Sequence, residues 1–309
     1  MEYLQTRLNR NEKLILRTLS YSDIFDFPLT KDELWQFLLT SKSISADAFS
    51  EALEKLCRIG KVVSIAEYFS LFGREAIITR RKENVSEVTK KLLIAKRAAW
   101  YLSYIPTIQF IGISGSLAVG NVGVADDIDF FIITKKNTLF MTRLWVLALL
   151  EVMDLRRIKN DRNPADKICV NLLVEETSLA WPEDRRDLFV AHEIIQVQPL
   201  FERNATYHRF LTANEWVTKF FRNFSGQEGR MIGKVWKRNY YSLRAISSII
   251  CLAPSEYLVG VVQKILIQRT KTSELVSKTM LAFHPNDYRA KTLRRLNIKY
   301  RELGLLTNN

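Results

Sequence analysis

Two aspartates, Asp127 and Asp129, stand two positions apart at the head of the apolar run IDFFIIT. Residues i and i+2 of a strand project to the same side of its sheet, about 6 to 7 Å apart along the backbone. Left alone, two such carboxylates repel each other, and the pKa of one rises. A divalent cation removes that penalty. Mg²⁺ takes one or two carboxylates and completes its shell with waters and substrate phosphates. The pair therefore reads as a seat for Mg²⁺ or Mn²⁺, an unusual concentration of negative charge in a chain whose net charge is +13.

Upstream, Gly115 and Ser116 follow an apolar segment ending near Ser114. A Gly-Ser turn lets backbone N–H groups approach an anion, and the serine hydroxyl adds a donor. The helix expected to open there would point its positive end the same way. A turn for phosphates and acids for a cation make up half of a nucleoside triphosphate (NTP) site, with the cation bridging both.

Gly115, Ser116, a short helix and loop, then Asp127 and Asp129 on the next strand together resemble the signature of the DNA polymerase β-like nucleotidyltransferase superfamily. The likeness spans Thr107 to about Glu176, and Asp126 stands where small polar residues are usual. It implies a Mg²⁺-dependent transfer of a nucleoside monophosphate from an NTP to a hydroxyl, by in-line displacement between two metal ions. Asp127 and Asp129 would bind the metals, and Gly115 and Ser116 the phosphates. The acceptor is left open between a protein side chain, an RNA end and a small sugar or antibiotic. The resemblance also implies a third acid on a neighbouring strand. At that point the segment KICVNLLVEE carries Asn171, a weaker ligand and no base. Asp126, Glu175 or Glu176 would have to substitute, or the metal is held loosely, or the domain binds nucleotide without turnover. In that last case the chain is a nucleic-acid- or protein-binding regulator.

Arg143 and Lys167 are candidate triphosphate contacts, with surface solvation as the alternative for each. His192, His208 and His284 are isolated and show no zinc spacing. Arg203 to His208, RNATYH, fits the loose Arg-x4-His pattern of HEPN ribonucleases, but Asn204-Ala205-Thr206 reads as a turn. A Walker A sequence, a G-x-S-x-G elbow and a Rossmann glycine fingerprint are all missing from the sequence.

The elements that must position these residues fall into an α/β (α+β) arrangement. Residues 1–82 read as three short helices and a hairpin, the order of the winged helix-turn-helix class, which they resemble without a diagnostic motif. Ile15, Leu16 and Leu19 share one helical face; Thr30 and Glu33 form a capping box; Ser45 caps a helix with apolar Phe49, Leu53 and Leu56 that stops at Gly60. KVVSIAEYFSLFG then reads as the hairpin. In a winged helix the third helix faces a DNA groove. Here it presents Asp47, Glu51 and Glu54, a poor match to phosphate, so a protein-contact or substrate-positioning role is favoured. Residues 83–105 read as a connector helix. Residues 106–182 alternate strand and helix as a central mixed-sheet core, and 183–309 read as a helical C-terminal domain ending in a solvated, partly flexible basic tail.

The positive charge favours anionic partners, nucleic acid among them. Cys57, Cys169 and Cys251 are scattered and sit in apolar contexts, which predicts free buried thiols and a reducing, cytoplasmic compartment. No signal-peptide core and no uncharged run long enough to span a membrane is evident; the longest apolar region, Ala245 to Ile267, is interrupted by Pro254, Ser255 and Glu256.

Overall fold

Alternating and continuous apolar runs in the chain become strands, and the amphipathic stretches between them become helices, in a mixed α/β protein. The computed structural model describes residues 8–158, 163–224, 236–237, 253–270, 275–282 and 286–306. They divide into two compact units, one of Met1–Glu83, Trp216–Ser225 and Arg289–Asn309, the other of Asn84–Glu215 and Gly226–Tyr288.

In the first unit, α1 (Arg10–Asp23), β1 (Leu29–Thr30), α2 (Lys31–Gln36), α3 (Ala46–Arg58), β2 (Val62–Ile65), β3 (Tyr68–Leu71) and α4 (Ala76–Glu83) follow in order. The expected capping box opens α2: Glu33 N donates to Thr30 Oγ1 at 3.2 Å, and Thr30 N donates to Glu33 Oε2 at 2.9 Å. Ser45 Oγ accepts Ala48 N at the start of α3. Ile15, Leu16, Leu19, Phe49, Leu53 and Leu56 form the buried core between these helices and an antiparallel sheet of order β1-β3-β2. Asp47, Glu51 and Glu54 on α3 are exposed.

The C-terminal basic segment is not a solvated tail. Within the helix Asn286–Glu302, Leu296 is buried, and Leu305 beyond it is 1% exposed. Arg17 donates two hydrogen bonds to Leu305 O, at 2.6 and 3.1 Å, and Lys299 pairs with the buried Asp23, which also receives Arg74 at 2.5 Å. Leu293, Leu296 and Tyr300 recur at helical spacing, and this apolar stripe, rather than the cations around it, decides where the segment packs.

The second unit is built on β4 (Ile108–Ile113), β5 (Ile128–Thr134) and β6 (Ile168–Glu175), the three strands the sequence marks. Helix α5 (Val85–Leu102) precedes β4, α6 (Gly115–Ala118) links β4 to β5, and α7 (Leu139–Val152) links β5 to β6. The expected all-helical character after Trp181 is corrected. Beside helices α8 (Leu188–Gln196) and α9 (Thr206–Ala213), the chain adds β7 (Gln198–Glu202), β8 (Trp236–Lys237), β9 (Leu275–Val276) and β10 (Met280–Ala282). These complete a seven-stranded sheet of order β8-β7-β4-β5-β6-β10-β9. Each is short, and β7 carries Pro199, so none shows a strand period long enough to read. Most of the segment 225–252, expected to be helical, lies outside the described residues.

The sheet is mixed: β5 pairs antiparallel with β4 and parallel with β6. Ala95, Ala98, Ala99 and Leu102 of α5 and Val146 and Leu150 of α7 pack with Ile111, Phe130 and Ile132 in one core cluster. Phe131 makes ring contacts with Phe110 and with Phe210 of α9, and Phe110 stacks on Tyr207 of that helix. Helices therefore cover β5 from both faces, which explains why DFFIIT is almost continuously apolar.

One buried cation fastens the loop that leads into β5. Lys91 of α5 has no exposed side-chain surface and donates to Asp126 O at 2.8 Å, Val124 O at 3.2 Å and Asp166 Oδ1 at 2.8 Å. Burial alone would raise the Asp166 carboxyl; hydrogen bonds from Lys90 and Lys91 outweigh it and hold the group below its ordinary value. Removing one partner of a buried pair typically costs about 3 kcal/mol or more. Lys91→Met is expected to lower stability by about that amount in urea denaturation, and a loss under about 1 kcal/mol would contradict the role given to this lysine.

Candidate active site

Strand β4 ends at Ile113, and Ser114 N donates to Asp129 O at 2.9 Å, so the turn leaving β4 is tied to the acidic head of β5. Gly115 has φ +65°, and a Cβ built on it would lie 2.4 Å from Asp129 Oδ2. Both the backbone conformation and the close carboxylate require glycine. The turn and the acid, separated in sequence, are in van der Waals contact in the fold. Ser116 is half-buried in the first turn of α6, and its carbonyl accepts Asn121 N at 2.9 Å. Gly123 N donates to Asp126 Oδ2 at 2.8 Å. Asp126 thus closes the loop through one of its carboxylate oxygens.

Asp127 and Asp129 flank the fully buried Ile128 and come together on one side. Across the parallel pairing, Asp129 stands opposite Cys169. Ligand atoms of Asp127, Asp129 and Cys169 all lie within 4.8 Å of one another. Asn171, expected at the third ligand position, follows Cys169 by two residues on β6, at an irregularity of the pairing. The register shifts between Phe130, opposite Val170, and Phe131, opposite Leu172, so Asn171 is the extra residue of a bulge and is 3% exposed. The two suggested substitutes are at the wrong end of the strands. Glu175 is paired with Thr134, roughly 20 Å along β6 from the cluster by the strand rise. Its carboxylate accepts Asn137 N at 2.9 Å, and Glu176 accepts Arg209 at 3.1 Å.

The two candidate triphosphate cations already have partners. Arg143 donates to Gln263 Oε1 at 2.8 Å, on the helix Ala253–Thr270. Lys167 stands at the edge of the cluster, its carbonyl accepting Ile128 N, but its Nζ donates to Asp154 O at 2.7 Å and Asp154 Oδ1 at 2.8 Å. Arg203 of the RNATYH segment is buried and donates to carbonyls of Ser103, Ile105 and Ile108, while Asn204 and Ala205 have φ of 52° and 49°. That segment is a structural corner. His192 is buried, and His284 and Cys251 lie outside the described residues.

A cation not read from the sequence meets the acids. Arg157 Nη1 lies 2.5 Å from Asp127 Oδ2, and the guanidinium also hydrogen-bonds Cys169. Helix α7 stops at Val152, Asp154 turns at φ +54°, and Arg157 then runs beside the start of β6, its N–H donating to Ile168 O at 3.1 Å. Burial opposes the Arg157 charge, but Asp127, Cys169 and Asp129 hold its pKa above the ordinary value. Cys169 feels the reverse: burial first, then the charges of Asp129 and Asp127, push its thiol up to about 12.

The donor set is compatible with a hard divalent cation. Two carboxylates on one side suit Mg²⁺ or Mn²⁺, with waters and phosphates filling the remaining positions. Two buried oxygens are left for such a group: Ser114 Oγ, and Asp127 Oδ2, whose charge Arg157 balances without a hydrogen bond. The neutral Cys169 thiol is soft and would contribute little to Mg²⁺. No protein-family model matches this chain, and no curated protein matches it. No helix among the described residues is long and apolar enough to cross a membrane.

With its pKa near 12, Cys169 is protonated at pH 8, and a thiolate is the reactive form. In a chain with Cys57 and Cys251 changed to serine, Cys169 is expected to react with a disulfide reagent at pH 8 at least about tenfold more slowly than a free thiol. A free-thiol rate would contradict the field assigned to the two aspartates.

Proposed function

We propose that the second unit is a nucleotidyltransferase of the polymerase β-like kind, moving a nucleoside monophosphate from an NTP to a hydroxyl acceptor. The observation that carries this reading is the packing of the Asp129 carboxylate against the Gly115 backbone, with Asp127 beside it. Phosphates held at the Gly115-Ser116 turn would lie within reach of any cation held by the two acids. The mixed sheet with helices on both faces supports the same reading.

Bound at Asp127 and Asp129, Mg²⁺ or Mn²⁺ would neutralise the polyphosphate and stabilise charge developing on the attacking and leaving oxygens. Asp129 is positioned by Gly115 and by the Ser114 N–H to its own carbonyl, and Asp127 by the Lys91-fastened loop. The acceptor oxygen attacks the α-phosphorus, the α–β phosphoanhydride bond breaks, and pyrophosphate leaves. Cys169, opposite Asp129 and protonated, offers no base, and the hydroxyl proton would pass to solvent. The acceptor belongs to the class of protein side chains, RNA ends or small sugars and antibiotics.

In the first unit the order helix, strand, helix, helix, strand, strand supports a winged-helix reading. The acidic outer face of α3 favours a protein or substrate contact there over DNA. A second reading of the whole chain, a regulator that binds nucleotide without turnover, is favoured by two observations. Arg157 lies against Asp127, and the third group of the cluster is the Cys169 thiol rather than a carboxylate.

Incubation with each α-labelled NTP, Mg²⁺ or Mn²⁺ and cell extract separates the two. Transfer of label to an acceptor is expected, and Asp129→Asn should reduce it about a hundredfold or more while the thermal melt stays unchanged. No label transfer from any NTP, or transfer that survives Asp129→Asn, would contradict catalysis at this site.

A further inference from the structure

We propose that Arg157 is an internal counter-ion of the acidic cluster and couples cation loading to polyphosphate binding; this inference rests on the nucleotidyltransferase reading of the site. Three observations support it. First, Arg157 Nη1 is 2.5 Å from Asp127 Oδ2, and the same guanidinium hydrogen-bonds Cys169, so it contacts two of the three groups whose ligand atoms cluster. It lies where a cation bound to those groups would lie. Second, Asp127 Oδ2 accepts no hydrogen bond despite that proximity. The contact is one of charge, without the paired N–H···O geometry that makes arginine–carboxylate pairs strong. Third, the backbone beneath the guanidinium is fixed. Ile168 N donates to Leu155 O at 2.6 Å, and Arg157 N donates to Ile168 O at 3.1 Å, while the Arg157 side chain remains 40% exposed. Leaving Asp127 therefore requires only side-chain rotation.

These features set an order of preference. A divalent cation arriving alone must displace a positive charge already bound to Asp127. A cation arriving with a polyphosphate brings the guanidinium a better partner, because phosphate oxygens match its planar fork. Arginine then moves from carboxylate to phosphate as the cation takes the carboxylates. The two ligands help each other through one side chain, and such coupling is reciprocal. In the resting chain, the counter-ion relieves the repulsion between Asp127 and Asp129.

The test is Mn²⁺ binding by the full chain, followed by electron paramagnetic resonance or calorimetry, with free Mn²⁺ and with Mn²⁺ complexed to inorganic triphosphate as the two probes. Arg157→Gln removes the positive charge from a side chain that is two-fifths exposed, and its melting temperature is the folding control. The expected result is a pair of opposite changes: free Mn²⁺ binds about tenfold tighter than to the native chain, and the Mn²⁺–triphosphate complex about tenfold weaker. Arg157→Lys keeps the charge and loses the fork. It should restore the native response to free Mn²⁺ and only part of the response to the complex. Equal affinities in Arg157→Gln and native chain, or changes in the same direction, overturn the counter-ion role. If Asp129→Asn still abolishes Mn²⁺ binding in that case, the site reading stands without it. Mn²⁺ binding that survives Asp129→Asn, or is lacking in every variant, overturns both.

Discussion

Holding two carboxylates and a thiol with ligand atoms within 4.8 Å of one another costs free energy that the rest of the unit has to offset. The arrangement exists because Asp127 and Asp129 alternate with a buried isoleucine on a strand packed from both faces. The buried Ile128 fixes the backbone from which both acids project. Charge then has to be balanced locally. Arg157 does so for Asp127, and Cys169 responds by keeping its proton. The state of each group follows from burial and from the pair together.

The surrounding chain is arranged to keep that pair in place. Gly115 adopts a left-handed conformation that most residues disfavour, and leaves no room for a side chain where Asp129 lies. Lys91 reaches from α5 to bind two carbonyls and one carboxylate of the loops flanking the cluster. These contacts join three parts of the sequence, the connector helix, the glycine turn and the loop before β6, into one support. An acidic cluster made only for solubility would need none of them. Exposed carboxylates on this basic chain would be screened by water and salt.

Much of this was legible in the sequence. The apolar runs of β4, β5 and β6, the capping box at Thr30 and Glu33, and the shared side of Asp127 and Asp129 all follow from local periodicity. The partners of the acids did not. Alternation alone puts Cys169 and Asn171 on the same side of β6, and the register shift at Phe130 and Phe131 that interrupts this pattern leaves no mark in the sequence. Nothing in the sequence points Arg157 at the acids, because the left-handed turn at Asp154 has no glycine to mark it. Strands β8, β9 and β10, at the two ends of the sheet order, are two or three residues long and exist only through pairing with neighbours. The docking of the last helix was readable from Leu293, Leu296 and Tyr300, but the density of arginine and lysine around them obscured it.

The central claim is that Asp127 and Asp129 face each other in order to share a divalent cation beside the Gly115 turn. Anomalous diffraction from crystals soaked in Mn²⁺ and inorganic triphosphate tests it most directly. The account predicts a manganese peak about 2.1 to 2.3 Å from carboxylate oxygens of both aspartates, with phosphate density against the Gly115-Ser116 backbone. Carboxylates that diverge, with manganese elsewhere or missing and Arg157 still seated on Asp127, would contradict it.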